Sequence, residues 1–262
     1  MAEALFIPSG DGHFEATEHA RGPWDPGALH GGAPAALITQ ALERIKPGKQ
    51  LSIARLSYEF LAPVPFSPIA LSTSVVRDGR RVQELAAELR AGDKLICRAS
   101  ALRIQAVPEA LPRGGPTPAE SLPGPEHGRV LQFALNNRAE PSFATTGMEM
   151  SWLEDPGRLG PGRLWMRLRQ PLLPGEPATP LARLVAAADF TNGVSSELPF
   201  AEYLFINADL SIHLWRQPQG EWIGLDARTL LPSGGMGVAE SVLHDSSGPV
   251  GRCFQTLVVQ PR

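Results

Sequence analysis

Four polar features interrupt otherwise apolar stretches of this 262-residue chain, and each could handle water or an anion. Asp189 ends the run Leu181-Ala182-Arg183-Leu184-Val185-Ala186-Ala187-Ala188. There Leu181, Leu184, Val185 and Ala188 recur at the i, i+3, i+4, i+7 spacing of a buried helical stripe, and at about 100° per residue Asp189 falls beside Leu181 and Val185. A carboxylate at a helix C-terminus opposes the helix dipole, so stability does not explain it. Partly desolvated, it could act as a base toward water. The alternative is a solvated aspartate capping the Thr191–Gly193 turn. Gln255 is the sole polar group on a strand face shared with Cys253, Leu257 and Val259. A buried amide must find partners, either a structural hydrogen bond or a ligand.

Asn207 poses a different question. Strict alternation puts Leu204, Ile206, Leu210 and Ile212 on the core face, and Asn207 with Asp209 on the other, a solvated strand face. Only a bulge near Ala208, or a partner covering that face, would bring Asn207 into a pocket. His30-Gly31-Gly32 precedes a helical pattern. Backbone N–H groups at such a start can hold an anion or polarise a carbonyl oxygen, and glycine permits close approach. A plain turn into a helix is the alternative.

The elements that must carry these groups come in two similar sets. In the first, Gly31–Gly32 opens a helix over Ala33–Ile45, closed by Pro47–Gly48. Strands are expected over Leu51–Leu61, Ile69–Val76, Val82–Ala91 and Leu95–Ile104. In the second, Thr179 as N-cap and Pro180 at the first helical position open a helix over Leu181–Phe190, with Asn192–Gly193 as its stop. Strands follow over Tyr203–Trp215, Trp222–Leu231, Gly237–His244 and Val250–Val259. A strand or two is expected before each helix. Ala54-Arg55-Leu56-Ser57-Tyr58-Glu59-Phe60 aligns with Ala208-Asp209-Leu210-Ser211-Ile212-His213-Leu214 at an offset of 154 residues. That even offset preserves the in/out alternation and points to a duplication. Between the sets, the proline-rich segment Val107–Gly128 reads as a linker. The chain therefore divides into residues 1–106, 107–128 and 129–262. A helix followed by antiparallel strands, given twice, predicts an α+β chain in which each of two sheets curls around its own helix.

Composition narrows the function. Charged residues are 19% and hydrophobic residues 43%, which supports a substantial core. The net charge of −3 offers no global basic surface for nucleic acid or an anionic membrane. No apolar run reaches the length of a membrane span, and the first residues lack the pattern of a signal peptide. Two cysteines, Cys97 and Cys253, suit a reducing cytoplasm. The sequence contains no G-x-S-x-G nucleophile elbow, no phosphate-binding G-x-x-x-x-G-K-[ST] loop and no H-E-x-x-H zinc helix. Gly235-Met236-Gly237 leads into a strand pattern and reads as a hairpin turn.

Taken together, Trp24-Asp25-Pro26-Gly27-Ala28-Leu29-His30-Gly31-Gly32-Ala33-Pro34-Ala35-Ala36-Leu37, Ala187-Ala188-Asp189-Phe190, Asn207-Ala208-Asp209-Leu210-Ser211-Ile212-His213-Leu214 and Phe254-Gln255-Thr256 resemble the acyl-CoA thioesterase II (TesB-like) branch of the hotdog-fold thioesterases. The resemblance implies a double hotdog, two antiparallel sheets each wrapped around a central helix and joined as a pseudo-dimer. It also implies a water-activating aspartate, threonine and glutamine. Asp189 and Gln255 match in type, while Asn207 stands where threonine is expected; its carbonyl oxygen can still hold water. In the first half, Ile53 and an alanine (Ala99 or Ala101) occupy the corresponding positions, so the site residues are lost there and one active site per chain is expected. The implied reaction is hydrolysis of an acyl-CoA to free acid and CoA. In it Asp189 is the general base, Gln255 and Asn207 orient the water, and the N–H groups of Gly31 and Gly32 bind the oxyanion. No metal or redox cofactor is implied. The protein is expected to be cytoplasmic and a homo-oligomer, such as a homodimer. Two other readings are a non-catalytic acyl-CoA-binding protein and enoyl-CoA hydration on the same fold. Hotdog hydratases use an Asp/His pair, and no Asp-x-x-x-x-His pattern begins at Asp189.

Overall fold

Two short, alanine-rich helices lie at the centre, and their composition explains why they can. α1 (Gly32–Arg44) buries Ala33, Ala35, Ala36, Leu37, Ile38 and Leu42. α2 (Pro180–Ala188) buries Leu181, Ala182, Leu184 and every residue from Val185 to Ala188. Small side chains on both helices let them pack directly on each other. The computed structural model describes residues 4–45, 50–106, 120–131, 141–232 and 234–262. The expected helix stop at Pro47–Gly48 and residues 107–119 of the expected linker lie outside these.

The helix ends are held by specific groups. At the start of α2 the Thr179 hydroxyl accepts from Ala182 N–H at 3.1 Å, as an N-cap should. At the end of α1 the buried Arg103 guanidinium donates to the carbonyls of Ile45 at 2.7 Å and Leu42 at 2.9 Å, satisfying acceptors the helix leaves unpaired. The expected stop at Asn192–Gly193 does not occur. Those residues lie inside one further turn, α3 (Thr191–Val194), where the Thr191 hydroxyl donates to Ala188 O.

Around the helices runs one antiparallel sheet. Its strands in the first half are β1 (Phe6–Gly10), β2 (His13–Ala16), β3 (Ser52–Phe60), β4 (Ile69–Asp78), β5 (Val82–Ala91) and β6 (Lys94–Ile104). The second half supplies β7 (Arg129–Val130), β8 (Met148–Trp152), β9 (Gly162–Leu168), β10 (Tyr203–Asn207), β11 (Asp209–Leu214), β12 (Ile223–Leu230), β13 (Met236–Asp245) and β14 (Gly248–Pro261). The spatial order is β1-β2-β4-β5-β6-β3-β11-β14-β13-β12-β9-β8-β7, with β10 also paired to β14. The element order predicts two sheets. Instead β3 and β11 pair with each other, Ser57 opposite Ser211, so the edge each half would expose is satisfied by the other.

The strand registers repeat between the halves. Ser57 faces Ser100, Ala86 faces Ser100 and Ser74 faces Ala86. Each residue moved 154 positions along gives the observed pairs Ser211–Phe254, Glu240–Phe254 and Arg228–Glu240. One offset therefore relates four strands of one half to four of the other.

The segment expected as a single strand, Tyr203–Trp215, is broken. Asn207 pairs with Leu257 whereas Ser211 pairs with Phe254, so one extra residue is inserted on the β10–β11 side. Around the break Ala208 N–H donates to Thr256 O at 3.0 Å, and Thr256 N–H to Asp209 Oδ1 at 2.6 Å. The inserted residue reverses the alternation. Phe205 is buried and Ile206 exposed, the opposite of the expected core face, while Leu210 and Ile212 are buried beyond it. Among the described residues no helix is long and apolar enough to cross a membrane.

The β13–β14 hairpin, which sets the start of the strand bearing Gln255, is pinned by Asp245. This buried carboxylate accepts two hydrogen bonds from Arg216, at 2.6 and 2.7 Å, and others from the N–H groups of Gln219 and Ser247. Burial alone would raise its pKa, but these donors hold it below the ordinary carboxylate range. A depressed folded pKa gives stability that is present above the unfolded value and lost as pH falls through the folded one. Asp245→Asn is expected to cost about 3 kcal/mol in urea unfolding at neutral pH. That cost should shrink as the medium is acidified below the ordinary carboxylate range.

Candidate active site

The two helices run antiparallel, so the C-terminal end of α2 meets the N-terminal end of α1. Asp189, the C-cap of α2, is 3% exposed. Its Oδ1 accepts from Asn207 Nδ2 at 2.9 Å and from Gln255 Nε2 at 3.3 Å. Its Oδ2 lies 3.0 Å from His30 Nδ1. The start of α1 packs so closely here that a Cβ on Gly31 would stand 2.9 Å from Asp189 Oδ2. On Gly32 it would stand 2.7 Å from Ala186 O and 3.1 Å from Asp189 Cβ. Glycine is therefore required at both positions by the approach of the carboxylate and of α2.

The carboxamides hold the aspartate in different ways. Gln255 is fully buried. Its Oε1 accepts from Asn192 N–H at 3.0 Å, and Nε2 donates to the Asp189 backbone carbonyl at 3.1 Å as well as to the carboxylate. Asn207 is half-buried, turned inward by the bulge at Ala208, and its Nδ2 donates to Asp189 Oδ1 and to Asp209 O at 3.2 Å. Both its hydrogens are thus committed, and what the amide offers to any other molecule is its carbonyl oxygen. The N–H of Gly32 donates to His30 Nδ1 at 3.1 Å, so it is not free for an oxyanion. Among the described residues the N–H of Gly31 has no such bond.

Two cavities meet at this cluster. One, of about 540 Å³, is lined by Asp189, Asn207, Gly31, Phe60, Leu204 and Ile206 among others. The second, of about 380 Å³, is more aromatic, with Phe190, Phe200 and Phe205 in its wall. Pro23, Trp24, His30 and Asn192 belong to both. Trp24 packs on Phe200 and Phe205 with ring centroids 4.7 and 5.0 Å apart.

The sequence matches a family profile described as the acyl-CoA thioesterase N-terminal domain over residues 20–104, and one described as the C-terminal domain over residues 113–259. The chain belongs to the acyl-CoA thioesterase family. Its members are thioester hydrolases. Among solved structures, the acyl-CoA thioesterase II TesB2 from Mycobacterium marinum aligns over 100% of this chain and 95% of its own, at 15% identity and a TM-score of 0.66. A tesB protein from Mycobacterium avium subs paratuberculosis aligns over 98% and 96%, at 16% identity and 0.67. A hotdog-fold protein of unknown function from Alicyclobacillus acidocaldarius aligns over 98% and 95%, at 16% identity and 0.72. These likenesses establish the hotdog fold. No curated protein matches the sequence.

Among the described residues of this acyl-CoA thioesterase family member, the first half has no copy of the cluster. Moved back by the register offset of 154, Asn207 and Gln255 become Ile53 and Ala101, both buried. At the opposite junction of the helices, Gln40 Oε1 accepts from Thr179 N–H at 3.3 Å, and the Thr179 hydroxyl donates to Glu43. One group at the cluster escaped the sequence reading. His30 drew attention there only through the glycines that follow it, and its pairing with Asp189 joins opposite halves of the chain.

Replacing Gln255 by leucine would leave Asn192 N–H and Asp189 short of a partner in a dry environment. Gln255→Leu is expected to lose about 2 kcal/mol of stability, read from thermal or urea unfolding. Gln255→Glu, which keeps the shape but sets a second carboxylate against Asp189, should lose at least as much at neutral pH.

Proposed function

We propose that this chain hydrolyses an acyl-CoA, or a related acyl thioester, to free acid and thiol at one site per chain. In this reading residues 1–106 and 129–262 are two hotdog units, joined through 107–128 and paired as a double hotdog, and the second unit carries the reactive groups. The observation that carries the proposal is the convergence of Asp189, Asn207 and Gln255 at the start of α1, where two largely apolar cavities meet. A thioester has two arms diverging from one reactive carbonyl, and a junction of two cavities suits that shape.

Asp189 acts as general base on a water held between its carboxylate and the carbonyl oxygen of Asn207. Gln255 works through Asp189, clamping both its side chain and its backbone, and does not itself line either cavity. The N-terminal end of α1, with the free N–H of Gly31, faces the oxyanion formed on attack. Removing the base should abolish most turnover while leaving the fold intact. Asp189→Asn is expected to lower kcat for acyl-CoA hydrolysis by about 100-fold or more, measured by thiol release across acyl chain lengths. Wild-type rates in this variant would overturn the role of Asp189. Tight acyl-CoA binding with no turnover of any chain length by the wild-type protein would favour an acyl-CoA-binding protein instead.

The approach of His30 to Asp189 supports a second reading. It supplies in space the Asp/His pair that is absent as a sequence motif, and such a pair can add water to an enoyl thioester. Formation of a 3-hydroxyacyl product from an enoyl-CoA, faster than thiol release, would decide for it.

A further inference from the structure

The reaction proposed above leaves one titratable group at the junction idle. Among the described residues, His30 is the one titratable group common to the walls of both cavities. Its ring is stacked on Phe190, with centroids 4.2 Å apart, and its side chain is 11% exposed. Nδ1 meets two groups: the N–H of Gly32 at 3.1 Å and the Asp189 carboxylate oxygen Oδ2 at 3.0 Å. The Gly32 N–H is a donor and favours the ring whose own proton sits on Nε2, whereas the ionised Asp189 carboxylate favours a proton on Nδ1; an acid role for the ring requires the first of these. The carboxylate oxygen has no proton to give to Nδ1 until Asp189 has taken one from water.

Hydrolysis needs a second proton transfer. When the C–S bond breaks, the thiol leaves as a thiolate unless something protonates it. We infer that His30 is the general acid that protonates the departing sulfur, recharged by Asp189 across the Oδ2–Nδ1 contact. This inference rests on Asp189 acting as the base. Water attacks the carbonyl carbon, its proton passes to Asp189, and the C=O electron pair moves onto oxygen. On collapse the C=O bond re-forms and the C–S pair goes to sulfur. The Nε2 proton then moves to that sulfur, and Nδ1 takes the proton held by Asp189. The products are a carboxylic acid and a thiol. Asp189 is again a carboxylate, and the neutral ring now carries its proton on Nδ1. Exchange with cavity water returns that proton to Nε2.

A general acid matters for a basic leaving group and not for an acidic one, and a merely structural residue makes no such distinction. The test compares octanoyl-CoA with the octanoyl thioester of 4-nitrothiophenol, whose thiol is far more acidic. His30→Gln should lower kcat on octanoyl-CoA by about 100-fold or more, and on the nitroaryl thioester by less than about 5-fold. Equal losses on the two, or no loss on either, would overturn the inference. A second measurement needs no variant. Across octanoyl thioesters of increasingly acidic thiols, wild-type kcat should be nearly flat, and a steep rise would overturn the inference. Asp189→Asn should slow both substrates alike. Failure of that result would strike the base assignment, whereas failure confined to His30→Gln would strike only the acid.

Discussion

The arrangement depends on one electrostatic constraint: a carboxylate is held at the wrong end of its own helix. At the C-terminus of α2, Asp189 faces partial negative charge from that helix. The antiparallel packing of α1 brings a helix N-terminus to the same place, and its field has the favourable sign. For the two ends to come this close, Gly31 and Gly32 can carry no side chain, and both glycines are consequences of that contact. Donors from β10 and β14 then fix the carboxylate's orientation, so the central sheet is coupled to the helix junction through a single side chain.

Antiparallel helices have two such junctions, and the chain treats them differently. At the other one a neutral amide, Gln40, meets Thr179 N–H, and the N-cap hydroxyl of α2 is shared with Glu43. Burial there pushes the Glu43 carboxyl up, with the Thr179 hydrogen bond and Arg103 opposing it. Packing Ile53 and Ala101 where the second half has Asn207 and Gln255 removes the donors that could orient a carboxylate. The two halves share one register offset, and among the described residues the carboxylate clamped by two carboxamides is found at the junction of Asp189.

Much of this was legible in the sequence, for physical reasons that also mark where legibility stopped. Helices and strands were visible because a buried stripe or alternating face is a local pattern, and β5 spans the very residues expected of it. Asp189 and Gln255 stood out as polar groups on apolar stripes, which their burial explains. Asn207 could not be oriented, because its direction depends on a one-residue bulge. That bulge is a register shift of β10–β11 against β14, repeated 154 residues earlier between Ile53 and Arg55 of β3 against β6, and a register depends on the partner strand as well as on residues 203–215. The pairing of β3 with β11 into one sheet, and of His30 with Asp189, likewise joins residues more than a hundred positions apart.

The asparagine at 207 has a chemical consequence that a hydroxyl in its place would not have. A threonine hydroxyl can donate or accept, so it can hold a water in either sense. Asn207 has already given both hydrogens to Asp189 and Asp209, and only its carbonyl oxygen remains. A water held between that oxygen and the Asp189 carboxylate must donate to both. Its two hydrogens are then committed, and its lone pairs are directed away from the two acceptors, toward the cavity junction. In the proposed reaction that is the orientation attack requires, with one hydrogen already on the base. The substitution thus narrows the orientations open to the water, and it does so only because the bulge at Ala208 turns the amide inward.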